Sequence, residues 1–256
     1  KEFFDSLNEV VLKMVDLIML TAPVAVFALL ANVVVTSGDP DLLYALLKYS
    51  GVVVLGLLLM IVFYSIVVSV FTRYNPISFL SKISPAQLLA FSTSSSAATL
   101  PVTMERVEEH IGVHKEVSSF VLPVGATINM DGTSLYQGVA AVFISQALGF
   151  DLTLGGQLVI ILTALLASIG SAAVPGAGMV MLVIVLESID FPADKLAIGL
   201  ALIFAVDRPL DMLRTVVNVT GDAMVAMLVA KSVGKLGEPV EKKWDDHLDE
   251  VIHKDD

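Results

Sequence analysis

Cysteine is absent from the 256 residues, which excludes a disulfide framework, thiolate metal sites and cysteine nucleophiles. Charge is scarce: Asp, Glu, Lys and Arg make up 16 % of the chain, where a water-soluble domain carries about 25 %. From Val117 to Leu186 only Asp131 and Asp151 are charged. Seventy such residues cannot face water, so the chain reads as an integral membrane protein. Histidine is missing from every apolar tract, since His110, His114, His247 and His253 all lie in polar segments. No Gly-x-Ser-x-Gly surrounds the Ser92–Ser96 run, so nothing supports an enzyme. The net charge of −11, without clustered Lys and Arg, argues against nucleic acid. There is no basic n-region and no initial Met, so no secretory signal peptide is seen. The reading expects the chain to continue a longer one.

What is present is apolar: 56 % of the residues, with a mean hydropathy of +0.84. Six tracts can be read. Val10–Val35 and Leu42–Phe71 are each long enough to cross about 30 Å of hydrocarbon. The sequence predicts Ala86–Val107 as a tract broken by Ser92–Pro101, and Val117–Phe150 as one broken by Asn129–Thr133. Leu152–Leu186 breaks at Gly170–Gly178, and Leu196–Val233 carries Asp207, Arg208, Asp211, Arg214 and Asp222 within it. Asn75-Pro76 and Ser84-Pro85 read as a re-entry signal at the membrane surface. The breaks repeat: Ser96-Ala-Ala-Thr-Leu-Pro101 resembles Ser171-Ala-Ala-Val-Pro175, and each precedes a helix with Asn and Asp at its midpoint. Irregular backbone at membrane depth survives only when buried in protein or lining a cavity. Paired interruptions point to a transporter's binding site. The fold class expected is all-α, with broken transmembrane helices and two re-entrant hairpins in an inverted repeat.

The segments are a scaffold-type helix at 1–38, part of a transport domain at 39–234, and a polar acidic tail at 235–256. Within the transport domain lie a span at 42–71, hairpin one at 83–111, a broken helix at 115–150, hairpin two at 152–188 and a last helix at 195–234. A topology that ends inside places eleven Lys and Arg in the cytoplasm and only Lys48 and Lys195 outside, as the positive-inside rule requires.

In the last tract Asp207, Asp211, Arg214, Asn218 and Asp222 recur at steps of four, three, four and four, which keeps them on one helical stripe. Such a stripe at membrane depth is costly and marks function. Arg214 suits a carboxylate, because its planar fork donates two parallel hydrogen bonds. Asp211, one turn earlier, suits an ammonium. Asn129-Met-Asp-Gly-Thr133 offers oxygen ligands where Gly132 lets the helix unwind, which suits a small hard cation.

Four motifs in order carry a resemblance over nearly the whole chain: Ser94-Ser-Ser-Ala-Ala-Thr-Leu-Pro101, Asn129-Met-Asp-Gly-Thr133, Val174-Pro-Gly-Ala-Gly178 and Asp211-Met-Leu-Arg-Thr-Val-Val-Asn-Val-Thr-Gly-Asp222. Together they resemble the dicarboxylate/amino acid:cation symporters, the glutamate transporter family, and a prokaryotic glutamate/aspartate member in particular. The resemblance implies that four further helices precede those seen here. It implies that Arg214 holds the substrate's side-chain carboxylate and Asp211 its amino group. Thr133, Thr215, Asn218, Ser96, Val174 and Gly178 complete that site. One sodium is expected at Gly125, Asn129, Asn218 and Asp222, a second at Thr127, Met130, Ser168, Ile169 and Ser171, and a third at Asn129 and Asp131.

Two departures stand out. Where family members carry an Arg in the first hairpin tip, or after the helix-eight Asp, this chain has Ser94 and Met212, with Arg208 nearby. Where animal members have a Glu tied to proton and potassium coupling, it has Gln137, so no potassium countertransport is expected. The expected function is symport of aspartate or glutamate with sodium by an elevator movement, in a homotrimer of the plasma (inner) membrane, with a cytoplasmic C-terminus. The expected partners are the acidic amino acid, sodium ions as coupled substrate and the lipid bilayer, with no cofactor. The alternatives are proton-coupled glutamate or C4-dicarboxylate symport, and an anion channel.

Overall fold

A computed structural model of the chain describes residues 40–239 throughout and, before them, single positions scattered between 10 and 35. Most of the expected first span and most of the acidic tail lie outside the described residues. Eight α-helices follow from residue 40: α1 Pro40–Val67, α2 Pro76–Thr93, α3 Ser96–Glu105, α4 Lys115–Ile128, α5 Asp131–Ala147, α6 Leu154–Ile169, α7 Ala177–Glu187 and α8 Ala193–Ser232. α1 and α3 run on into π-helical turns at Val68–Thr72 and Arg106–Ile111. Among the described residues the only β-pairing is the isolated bridge between Val113 and Leu236. The fold is all-α.

Local chemistry sets the boundaries. Asn75 caps α2 by accepting from the amides of Ile77 (2.9 Å) and Ser78 (3.3 Å), and Pro76 supplies the first helical residue. This cap uses two of the amides that a helix start otherwise leaves unpaired. Ser84-Pro85, read from the sequence as part of the re-entry signal, does not break the chain: Pro85 lies inside α2. The tip of the first hairpin is shorter than the hydroxyl run implied. It comprises only Ser94 and Ser95, with Ser94 left-handed at φ 51° and Ser95 capping α3 through the Ala98 amide at 3.1 Å. Pro101 sits within α3.

Between α4 and α5 the backbone leaves helical geometry at Asn129 (φ −93°, ψ 74°) and Met130 (φ −107°, ψ 57°). Between α6 and α7 the chain passes from Gly170 to Gly176, whose φ of 77° suits glycine.

α8 is the axis of the packing, touching α1, α2, α3, α4, α5 and α7. The two hairpin tips meet, as Ser95 Oγ donates to Ala173 O at 2.6 Å. Burial departs from that of a water-soluble fold, with polar side chains inside beside the apolar core and large apolar ones outside. Thr99, Gln137, Ser145 and Thr220 are fully buried, while Phe63, Phe120, Leu158 and Leu162 are exposed. A hydrocarbon solvent explains both observations, because polar groups must then find partners inside the protein. α1 with its π turn is the one described helix that is long and apolar enough to cross a membrane by itself, over Tyr44–Thr72.

Candidate substrate and cation site

The eight residues expected to hold the substrate all line one small cavity, of about 20 Å³: Ser96, Thr133, Val174, Gly178, Asp211, Arg214, Thr215 and Asn218. Four elements bring them together. Ser96 begins α3 behind the first tip, Thr133 lies in the first turn of α5, and Val174 and Gly178 flank the start of α7. The remaining four descend α8 on one stripe.

Arg214 is the largest fully buried side chain and is 1 % exposed. Its Nε donates to Asp211 Oδ1 at 2.9 Å, with Nη2 2.6 Å from the same oxygen, and Nη1 lies 3.6 Å from Asp207 Oδ1. Neither Nη contact has hydrogen-bond alignment, so both Nη groups are buried without an acceptor. A guanidinium in this setting can still accept a carboxylate on its fork. Its flat face is held by Tyr136, whose ring centroid is 4.2 Å from Cζ.

Asp211 is engaged on both oxygens. Beyond Arg214 on Oδ1, its Oδ2 accepts from the Gly176 amide of the second tip at 3.0 Å. Arg208 Nη1 lies 3.5 Å from the same Oδ2 and donates to Ser94 Oγ at 2.8 Å. Both hairpin tips are thereby tied to one turn of α8. Gln137 adds a further tie, donating through Nε2 to Gly178 O at 3.1 Å.

The candidate cation ligands separate into groups. Asn129 Nδ2 donates to Asp222 Oδ1 at 2.9 Å, and Gly125 lies so close that a β-carbon there would sit 2.6 Å from that oxygen. Asn218 Oδ1 accepts from Gly132 N at 2.8 Å, and Asn218 Nδ2 donates to Thr133 Oγ1 at 3.3 Å. These bonds join the break between α4 and α5 to the middle of α8. Asp131 Oδ2 accepts from Tyr64 OH at 2.5 Å.

Met130 and Ser171 reach the cavity wall, and the buried Ser171 hydroxyl has no partner there. Ser168 donates to Leu165 O at 2.8 Å and Thr127 to Val124 O at 3.0 Å, each within its own helix. The Thr127 and Ile169 side chains are exposed and do not reach the cavity.

Sequence reasoning missed four participants. Tyr136 carries a faint signal, falling three residues after Thr133 on the same face. Tyr64 carries none, and Ser95 and Gly176 lie inside motifs read from the sequence, but the partners of all three lie far away along the chain.

The sequence pattern of the sodium:dicarboxylate symporter family matches residues 1–232. Excitatory amino acid transporter 1 of Homo sapiens is 46 % identical over 231 residues, covering 90 % of this chain and 42 % of its own length. Excitatory amino acid transporter 2 of Homo sapiens is 43 % identical, with 89 % and 39 % covered, and that of Mus musculus 44 %, with 89 % and 40 %. The chain thus spans about two fifths of the length of the curated relatives it matches.

Proposed function

This chain belongs to the sodium:dicarboxylate symporter family, a family of multi-pass membrane transporters and not of enzymes, and we propose that it forms the binding core of a sodium-coupled symporter for aspartate or glutamate. The observation that carries the reading is the buried Arg214 fork. Its Nη groups have no aligned hydrogen-bond acceptor, only ion-pair contacts with Asp211 and Asp207, and it stands in a cavity lined by hydroxyls and an amide. A substrate with one carboxylate for Arg214, an ammonium for Asp211 and a second carboxylate for the hydroxyls and tip amides complements that set. The relatives are excitatory amino acid transporters, which agrees with an amino acid as the substrate.

Coupling follows from electrostatics. Among the described residues, Asp222 and Asp131 accept hydrogen bonds from neutral donors only, Asn129 and Tyr64. A carboxylate in such surroundings keeps its charge best with a cation beside it. Gly125, Asn129, Asn218 and Asp222 form the first set of oxygen ligands in this reading, the segment Ser168–Ser171 with Thr127 and Met130 a second, and Asp131 with Asn129 a third. Sodium here is a co-transported substrate.

In this reading the α2–α3 and α6–α7 hairpins re-enter the membrane from opposite faces as inverted repeats. Residues 39–234 move as part of a transport domain against a trimeric scaffold, in the plasma or inner membrane, with the C-terminus in the cytoplasm. A cavity of about 20 Å³ is far too small for an amino acid, so a hairpin must swing aside to admit one.

Calorimetric titration of the full-length protein with aspartate and then glutamate, with and without sodium at fixed pH, tests the proposal. Tight binding of one of them only with sodium is expected. Binding that ignores sodium and follows pH would replace it with proton coupling, and equal binding of succinate would replace the substrate class.

A further inference from the structure

Ser50 and Ser65 of α1 turn their hydroxyls back onto carbonyls of their own helix, Leu46 O at 2.9 Å and Ile61 O at 2.8 Å. Tyr64, 2 % exposed, does not: it donates across the fold to Asp131 Oδ2 at 2.5 Å. A buried tyrosine hydroxyl needs an acceptor, but a neutral carbonyl would serve. Here the acceptor is the carboxylate that opens α5, at a depth where charge is costly and marks function.

α8 closes on the same place. At Gly221 a β-carbon would stand 3.1 Å from Asn129 Nδ2 and 3.2 Å from the Tyr64 hydroxyl. The next residue is Asp222, whose Oδ1 accepts from that same Asn129 Nδ2 at 2.9 Å. Each carboxylate is thus held by one neutral donor, and the two donors converge on the bare backbone of Gly221. Asn129 and Asp131 also flank Met130, where the chain leaves helical geometry between α4 and α5. A shift of that break is felt by both carboxylates.

We propose that Tyr64 is a positioning residue: it sets Asp131 for a sodium ion and ties that cation position to the one at Asp222. The inference rests on the sodium-coupled reading above and adds to it a residue of α1. A carboxylate with one oxygen pinned presents the other in a fixed direction, so an arriving ion meets a preset ligand. Tyr64 acts through Asp131 and not by touching the ion. Since Tyr64 and Asn129 share the space beside Gly221, an ion that draws on Asp131 also shifts the donor of Asp222. Occupancy of one carboxylate then changes the affinity of the other, and by linkage the effect is mutual.

The test titrates the full-length protein with sodium at fixed pH, reading the thermal midpoint and the affinity for aspartate. Tyr64→Phe removes the hydroxyl alone. The sodium concentration for half of the effect should rise about tenfold, and the dependence should become less steep as the two cation positions uncouple. Asp131→Asn should lose sodium affinity too, and adding Tyr64→Phe to it should cost nothing more, because the hydroxyl acts through the carboxylate. This last comparison holds even where Tyr64→Phe alone does not fold, since the double variant carries no unpaired charge at residue 131. An unchanged sodium dependence in Tyr64→Phe, or a further loss in the double variant, would overturn the role of Tyr64 while sodium-dependent binding in the parent left the symport reading standing. A parent that binds aspartate regardless of sodium would overturn both.

Discussion

Gly178 faces the Arg214 guanidinium so closely that a β-carbon at residue 178 would stand 2.9 Å from both Cζ and Nη1. Real β-carbons do not come this near to other atoms, and the guanidinium is also held by the Tyr136 ring. Gly178→Ala should therefore displace the fork and weaken binding of acidic substrates by about tenfold or more, since well-packed cores tolerate overpacking poorly. Calorimetric affinity for aspartate checks this, and an unchanged value would remove Gly178 from the site.

Arg214→Cys should abolish acidic substrate binding. The side-chain carboxylate loses its charge-assisted partner, while Asp211 and the tip groups remain for small neutral amino acids. Removing the Arg also leaves Asp207 buried without its ion-pair partner and Asp211 with Arg208 alone; breaking a buried pair costs about 3–5 kcal/mol. A thermal melt run beside the binding assay separates lost recognition from lost folding. Near-original aspartate affinity would mean Arg214 serves another purpose.

Asp222→Asn should flatten the dependence of aspartate affinity on sodium at constant pH. The substitution keeps the hydrogen-bonding shape toward Asn129 but removes the charge that offsets a cation. Because linkage is reciprocal, the variant should also lose the rise in sodium affinity that substrate confers. Isotherms at two sodium concentrations decide the matter, and parallel sodium dependence in parent and variant would exclude Asp222 from coupling.

Arg208 spans from α8 to the first hairpin tip, donating to Ser94 at 2.8 Å while standing 3.5 Å from Asp211. A hydrogen bond to a charged group contributes about 1.5–3 kcal/mol, so Arg208→Met and Ser94→Ala should each speed substrate release by roughly tenfold. The double variant should release no faster than Arg208→Met alone. Stopped-flow dissociation rates give the cycle, and additive effects would show that the two groups do not act on each other.

At the polar end of α4, the Lys235 ammonium bonds to Glu116 and holds its carboxyl below the usual carboxylate range. A depressed carboxylate stabilises the fold above its unfolded pKa, about 4.3. That stabilisation is lost as pH falls through the lower folded value. The pair is exposed, so the contribution is small. Glu116→Gln should lower the thermal midpoint slightly at pH 7 and match the parent near pH 3; a constant offset at both would assign the effect to something other than charge.

The sequence made the stripe from Asp207 to Asp222 legible because a helical period needs no tertiary knowledge. The break at Asn129–Met130 was legible because polar groups beside Gly132 have no place in a plain span. Proline positions misled at Ser84-Pro85, since Pro85 is carried inside α2 where the flanking residues keep the helix continuous. Contacts over long separations left no trace. Tyr64 sits in an apolar run whose composition gives no hint of a hydroxyl aimed at Asp131, 67 residues away. Arg208 was visible as a nearby cation, but its reach to Ser94 depends on how the first tip folds onto α8.

Both oxygens of Asp211 are already held by the protein itself: Arg214 on one, the Gly176 amide and Arg208 on the other. In the proposed reading, an ammonium that takes the place of the Gly176 amide on Asp211 makes admission a ligand exchange and not an addition. The free energy that remains as affinity is the difference between two similar bonds, which favours a site that lets go as readily as it takes hold. The displaced tip is itself the outgoing ligand, so occupancy and hairpin position are two readings of one equilibrium.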